Sequence, residues 1–512
     1  MIPHSPILAI VLPLLGGFLS PVIGILERKH GWRRATGIFA LIVMGVVCVV
    51  VGSMVTDVWA GQFIIYELGG WSPPWGINLA VDALGAQMAL MIAGLGILVV
   101  LYSLSYMRDE TGLGQFYALL LIVIAGMMGT VLTGDMFNFY VFLEIMSVGS
   151  YALVAFRRTP EGIEGGIKYL FIGSIGTTSI LISIAMLYGL VGSLNIADIG
   201  AKLTLYSGNV PPALTLAFAL FVTGVMVKVA MVPFHTWLPD ALTGAPTGVS
   251  ALLAGPAAVV GIYWVARLPY LPFGMPVGVI LVSLGLLSMV VGVLMALVQR
   301  DFKRMLAYHV ISQKGYMVLG IGLGTFGSVL GAQGGLFHLL NHSTYKCLLF
   351  MCAGAVLLQA NSQKFDELGG LGKKMPVTAA MFLVGSLAIS GIPPMNGFVS
   401  KYCIYLSGLE LGQGWITAIA VVVSALTLAS FLKAFSSVFL GQLPGRLEGV
   451  REAPRPMLIS MAIMAAVCVA IGLLPAIGFN IVGPAQAAAE NSVGYITHVF
   501  GENYLAAGGM MP

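Results

Sequence analysis

The chain has 512 residues, 58% of them hydrophobic and 9% charged, with a formal net charge of +4 and a mean hydropathy of +0.98. A soluble domain carries about a quarter charged residues, so this composition excludes a soluble enzyme and describes an all-α, polytopic membrane protein. Five separate cysteines (Cys48, Cys347, Cys352, Cys403 and Cys468) lack CxxC spacing and read as packing residues, which leaves no cofactor or metal to expect.

The N-terminal run MIPHSPILAIVLPLLGGFLSPVIGI has no basic region before its apolar stretch and reads as a first membrane helix rather than a cleaved signal. Apolar runs of about 20 residues predict about fourteen spans, starting near residues 5, 35, 82, 115, 135, 166, 210, 247, 274, 305, 331, 376, 411 and 456. With the odd-numbered connections on one side, that side holds sixteen Lys and Arg, from Arg28, Lys29, Arg33 and Arg34 to Arg455; the other holds Lys202 and Arg267. This positive-inside bias places both termini on the non-cytoplasmic side of a cell (inner) membrane.

Six lysines remain, all in or at the ends of apolar spans: Lys168, Lys228, Lys314, Lys346, Lys401 and Lys433. The acidic counterpart is Glu144 in DMFNFYVFLEIMSVGSYALV, with Asp135 nearer an aqueous boundary. Ionisable groups at such depth are costly and mark ion paths.

Lys228 precedes Pro233, and a second interruption, SGIPPMNGFVSK, has Pro393 and Pro394 just before Lys401. Proline removes a backbone donor and clashes with the preceding turn. Two discontinuous helices, each with a lysine, fit two inverted five-helix repeats. The expected organisation is residues 1–114 (spans one to three), 115–268 (first repeat, broken at Pro233), 269–440 (second repeat, broken at Pro393 and Pro394) and 441–512 (last span and tail).

Between the breaks, His309 and Lys314 follow the charged start of QRDFKRMLAYHVISQKGYMVLG, and His338, His342 and Lys346 recur every four residues in GGLFHLLNHSTYKCLLF. That spacing puts the last three on one helix face, suited to proton relay. His235, at the first break, could cap freed carbonyls or move a proton. Lys168 follows Glu164 by four residues and reads as an interfacial pair. Lys433 has no visible partner and reads as a lipid-interface or subunit contact. GLGTFG at Gly322 to Gly327 satisfies GxGxxG but lacks a preceding strand, so it is no dinucleotide site. No basic, aromatic-interleaved run suggests nucleic acid.

KVAMVPFHTWLPDALTGAPTGVSALLAG, GDMFNFYVFLEIMSVGSYAL, DFKRMLAYHVISQKGYM, FHLLNHSTYKCLLF and SGIPPMNGFVSK together resemble the antiporter-like subunits shared by Mrp-type Na+/H+ antiporters, membrane-bound hydrogenases and respiratory complex I. The Mrp D-type and hydrogenase-type members look nearest. The resemblance implies a subunit moving H+, with or without Na+, among other integral membrane subunits and lipid. It implies that Glu144 pairs with Lys228, that His338, His342 and Lys346 form a relay, and that Lys401 is the outer exit. Asp135, His235 and Lys314 are secondary candidates. One place departs: Val259 and Ala254 stand where the family carries an eighth-helix Lys or His. Either water bridges that gap or the axis is cut.

Two other readings compete. A redox subunit holding haem or quinone needs ligands facing one another across a bundle, whereas His338 and His342 share a helix. A stand-alone solute transporter needs a substrate-binding cluster beyond lysines and one glutamate. The chain itself shows no catalytic redox site, although it can belong to an oxidoreductase complex.

Overall fold

The computed structural model describes residues 2–32, 34–206 and 210–506; Arg33 of the charge tally lies outside them. Helices α1 (Ser5–His30) and α2 (Ala35–Trp59) are followed by a hairpin of β1 (Ile64–Glu67) and β2 (Asn78–Val81), antiparallel with Ile64 opposite Val81. This short sheet departs from the all-α expectation. It closes the loop ahead of α3 (Ala83–Tyr106), whose N-cap Asp82 accepts from the Gly85 amide at 2.9 Å, as N-terminal amides without helical partners require.

The same logic starts several spans. After α4 (Leu113–Leu132), Asp135 caps α5 (Met136–Val154) by accepting from the Asn138 amide at 2.7 Å. Thr159 caps α6 (Pro160–Val191), with Pro160 at its first position. That cap moves the sixth span's start to 160 from the expected 166, because proline is pre-set for the first helical turn.

A short α7 (Ile196–Leu203) precedes α8 (Pro212–Val229), which breaks and resumes as α9 (Trp237–Gly244). The eighth span is itself divided, into α10 (Thr247–Ala254) and α11 (Pro256–Arg267). Then come α12 (Gly278–Leu297), α13 (Phe302–Gly324) and α14 (Val329–Ala360). The second broken span is α15 (Pro376–Ser390) and α16 (Asn396–Glu410), followed by α17 (Gly414–Phe439) and α18 (Arg455–Leu473). Three more helices, α19 (Pro475–Glu490), α20 (Ser492–Phe500) and α21 (Glu502–Ala506), follow the last expected span. Among the described residues, twelve helices are long and apolar enough to cross a membrane.

Two packing features position the central site. First, α13 sits against α12 and α14 at backbone distance. A Cβ on Gly315 would lie 2.6 Å from Gly285 O, one on Gly292 2.6 Å from Ser312 N, and one on Gly320 2.8 Å from Gly331 O. Only glycine permits such approach. Second, the Asp82 carboxylate pairs with the buried Arg267 guanidinium, whose other partner is Ala488 O at 3.3 Å. That pair ties the start of α3 to the ends of α11 and α19.

Candidate functional site

The first break is built from α8 outward. Val229 ends the helix and Ala230 turns left-handed at φ 62°. Backbone groups released by a break in an apolar region must find partners. Here the Trp237 indole donates to Val227 O at 3.1 Å, Ser288 Oγ accepts from the Val232 amide at 3.0 Å, and Lys314 Nζ donates to Val229 O at 2.9 Å. His235 lies half-buried in the turn, against the Pro233 backbone.

Charge then anchors the resumed helix. Asp240 of α9 pairs with Lys168 of α6 at 2.6 Å and with Arg304 of α13 at 2.9 Å. The buried Lys303 donates to Thr243 O at 2.9 Å and Ala245 O at 2.6 Å, at the carbonyl-rich end of α9, where a cation is favoured. Lys168 does pair with Glu164, at 2.6 Å, and the sequence reading missed its second partner, Asp240.

Lys228 Nζ donates to Ser147 Oγ at 2.8 Å and Tyr151 OH at 3.2 Å, with the Tyr151 ring centroid 5.7 Å away. Ser147 and Tyr151 stand three and seven residues after Glu144, so one stripe of α5 carries all three. No direct ion pair joins Glu144 to Lys228 among the described residues, although Glu144 lies within electrostatic reach of the lysine. Glu144 is partly exposed, between Val141 and Val148, which are exposed on the same face. Asp135 is committed to capping α5, and burial pushes its carboxyl above the usual range against donation from the Asn138 and Phe137 amides.

At the second break, α15 ends at Ser390 and Gly391 turns at φ 76°. Lys401 Nζ donates to Ile389 O and Ser424 Oγ, both at 2.8 Å, and lies 4.6 Å from the Tyr316 ring centroid. Lys401 is 1% exposed, so it does not snorkel to an interface.

The α14 stripe is fully buried at His338, His342 and Lys346. His338 Nδ1 lies 2.9 Å from Ser400 Oγ, and Nε2 lies 3.1 Å from Gln313 Oε1 and 3.2 Å from Tyr345 OH. A hydrogen on Nε2 lets the ring donate to Gln313 and accept from Ser400, whereas the other tautomer reverses the Ser400 bond. Asn341 Nδ2 donates to Ser400 Oγ at 3.0 Å and Asn396 O at 2.9 Å. Among the described residues His342 has no hydrogen-bond partner at either ring nitrogen, and it is within electrostatic reach of Lys346, His338 and Lys314. Lys346 lies apart from the second break: its Nζ donates to Leu306 O near the start of α13, at 2.8 Å. His309 meets Ser430 Oγ at 2.9 Å and packs against Phe431.

Sequence reading thus located the ionisable groups but not the neutral ones between them: Ser147, Tyr151, Gln313, Asn341, Ser400 and Ser424. The available signal was adjacency, since Gln313 precedes Lys314 and Ser400 precedes Lys401. Lys433, read as partnerless, donates to Leu297 O and Gln299 O, each at 2.9 Å, because the end of α12 offers unpaired carbonyls. At the apolar gap, Ser343 and Cys347 of α14 donate to Gly255 O at 3.4 Å and Ala251 O at 3.3 Å, while Val259 and Ala254 are buried. Two carbonyls near Pro256 thus have side-chain donors.

Comparisons with known proteins identify relatives of the chain and of its fold. The family described as NADH:quinone oxidoreductase/Mrp antiporter, transmembrane, matches residues 133–427, and the complex I chain 5 N-terminal family matches residues 69–117. The N-type NADH-quinone oxidoreductase subunit of Desulforudis audaxviator is 35% identical over 499 residues, covering 92% of this chain and 96% of its own. The D-type Na(+)/H(+) antiporter subunit of Alkalihalophilus pseudofirmus is 32% identical, covering 85% and 87%. A chain of the Mrp complex from a Dietzia species superposes with a TM-score of 0.89 at 27% identity, covering 98% of this chain and all of that one. With matches along most of its length and a lysine at each of two helix breaks, the chain belongs to the NADH:quinone oxidoreductase/Mrp antiporter transmembrane family.

Proposed function

We propose that this chain is the ion-translocating subunit of a multisubunit membrane complex, moving H+, with or without coupled Na+, through the middle of the bilayer. The observation that carries this reading is the bonded series from Gln313 through His338 to Ser400, the chain neighbour of Lys401. Buried charges persist where they serve ion paths, and proton transfer needs donors and acceptors about 3 Å apart.

Adding α13 and the broken α15 and α16 pair to the twelve apolar helices supports fourteen spans. A lysine at each break supports paired repeats over 115–268 and 269–440. Lys and Arg asymmetry supports an inner-membrane orientation with both termini outside the cytoplasm. Partners are other integral membrane subunits and lipid.

In this mechanism Glu144 and Lys228 form a Coulomb switch: changing their separation changes the proton affinity of Lys228. Protons pass His342 and His338 to Lys401 and leave there. The side-chain neighbours support an order with His338 next to the exit and Lys346 on a branch toward the start of α13. The test is proton flux by the purified complex in proteoliposomes. Lys228→Ala, Glu144→Gln and Lys401→Ala should each abolish flux with subunit composition intact; wild-type flux in Lys228→Ala would refute the reading.

A further inference from the structure

The path has an interval between Lys228, on α8, and His342, on α14. The divided eighth span lies in that region and, from Thr247 to Ile262, contains no titratable side chain. A different helix supplies one. Lys314 of α13 is 3% exposed, and its amine donates to Val229 O at 2.9 Å. Val229 is the residue after Lys228 and the last of α8. From the break, Lys314 reaches electrostatically to His342, while its chain neighbour Gln313 holds His338.

We infer that Lys314 is the middle proton carrier of this chain, receiving protons at the first helix break and passing them to His342. The inference rests on the ion-path reading above and assigns the stage between its two halves.

Three observations favour a carrier over a mere cap for the Val229 carbonyl. An ammonium offers three donors, and among the described residues Lys314 makes this one hydrogen bond. No carboxylate pairs with it among the described residues, and an isolated buried charge is expensive. A neutral amine keeps the same bond with one N–H, so Lys314 can release and regain a proton without undoing the break. The recipient fits as well: among the described residues both His342 ring nitrogens are buried and without a hydrogen-bond partner, so each is free to take a proton. The atom balance is simple. Lys314 gains H+ from the Lys228 side, gives H+ to a His342 nitrogen, and returns to the amine.

The experiment uses the purified complex in proteoliposomes, read by internal pH, with Lys314→Gln, Lys314→Arg and Lys228→Ala. Glutamine preserves an N–H donor for Val229 O but has no titrating group, and arginine preserves charge and donors but does not deprotonate. Both should lower proton flux by about tenfold or more, a conservative value for removal of a positioned proton carrier. Wild-type flux in either variant overturns the assignment. Should the glutamine variant fail to assemble, Lys314→Arg decides alone. Wild-type flux in Lys228→Ala sinks the ion-path reading itself. Loss in Lys228→Ala with wild-type flux in Lys314→Gln sinks only the role of Lys314.

Discussion

His338 and Ser400 meet at 2.9 Å across α14 and α16, which places a histidine of the central stripe against the chain neighbour of Lys401. Ser400→Ala removes a hydroxyl that both His338 and Asn341 use. Proton flux should fall about tenfold while assembly persists, less than the roughly hundredfold or more of a group that itself transfers the proton. Unchanged flux in reconstituted vesicles would mean that His338 does not communicate with Lys401 through this serine.

Lys228 depends on two hydroxyls of α5. Ser147→Ala or Tyr151→Phe leaves part of the ammonium without a partner, a cost of about 1–3 kcal/mol each. The double variant should lose more flux than either single one. A double-mutant cycle on initial rates checks this, and two silent single variants would show that neither hydroxyl serves the lysine.

Lys401→Glu tests the exit. The native amine donates to Ile389 O, whereas an ionised carboxylate there would face a carbonyl with nothing to donate. Either side chain can carry a proton, which alone would favour some retained flux. With the carbonyl in view, Lys401→Glu should fall to the level of Lys401→Ala. Flux clearly above Lys401→Ala would show that the carboxylate serves in place of the amine.

Asp82→Ala addresses stability rather than transport. It strands the Arg267 guanidinium, whose side chain is 4% exposed. Removing one partner of a buried pair costs about 3–5 kcal/mol, so the chain should unfold at lower temperature and accumulate poorly. A melting curve in detergent superimposable on wild type would count against the pair as a structural tie.

Gly397→Ala examines the second break. A Cβ there would collide with Ala388 O, closer than a neighbour can accept without moving backbone. Overpacking costs about 1–3 kcal/mol, and the displaced α16 carries Ser400 and Lys401. Thermal stability and flux should both drop, and wild-type values of both would show that α16 does not need this close approach.

Much of this was legible in the sequence, because hydrocarbon enforces simple rules. Apolar runs gave helix starts close to those of α1, α2, α10, α15 and α18, and the prolines marked both breaks. The missing parts share one cause: a neutral polar residue carries no distinctive signal in a sequence. Ser147 and Ser400 look like any small residue until the fold sets them beside an ammonium or an imidazole. The Leu306 carbonyl beside Lys346 was not legible because four-residue spacing reports a shared face but not which end meets which neighbour. The β1–β2 hairpin was missed because its strands have four residues each, too few for alternation to stand out.

The glycine contacts that seat α13 between α12 and α14 also set the mechanics of the site. Backbones that touch at Gly285, Gly315, Gly320 and Gly331 leave no clearance for one helix to slide past another. The helix bearing His309, Gln313 and Lys314 is therefore a fixed rail. Rotation of side-chain torsions, at picoseconds to nanoseconds, replaces helix displacement at microseconds to milliseconds. Events that set the pace then arise where α8 and α15 are interrupted and the helical hydrogen-bond ladder is already open, while the rail between them transmits occupancy without changing shape.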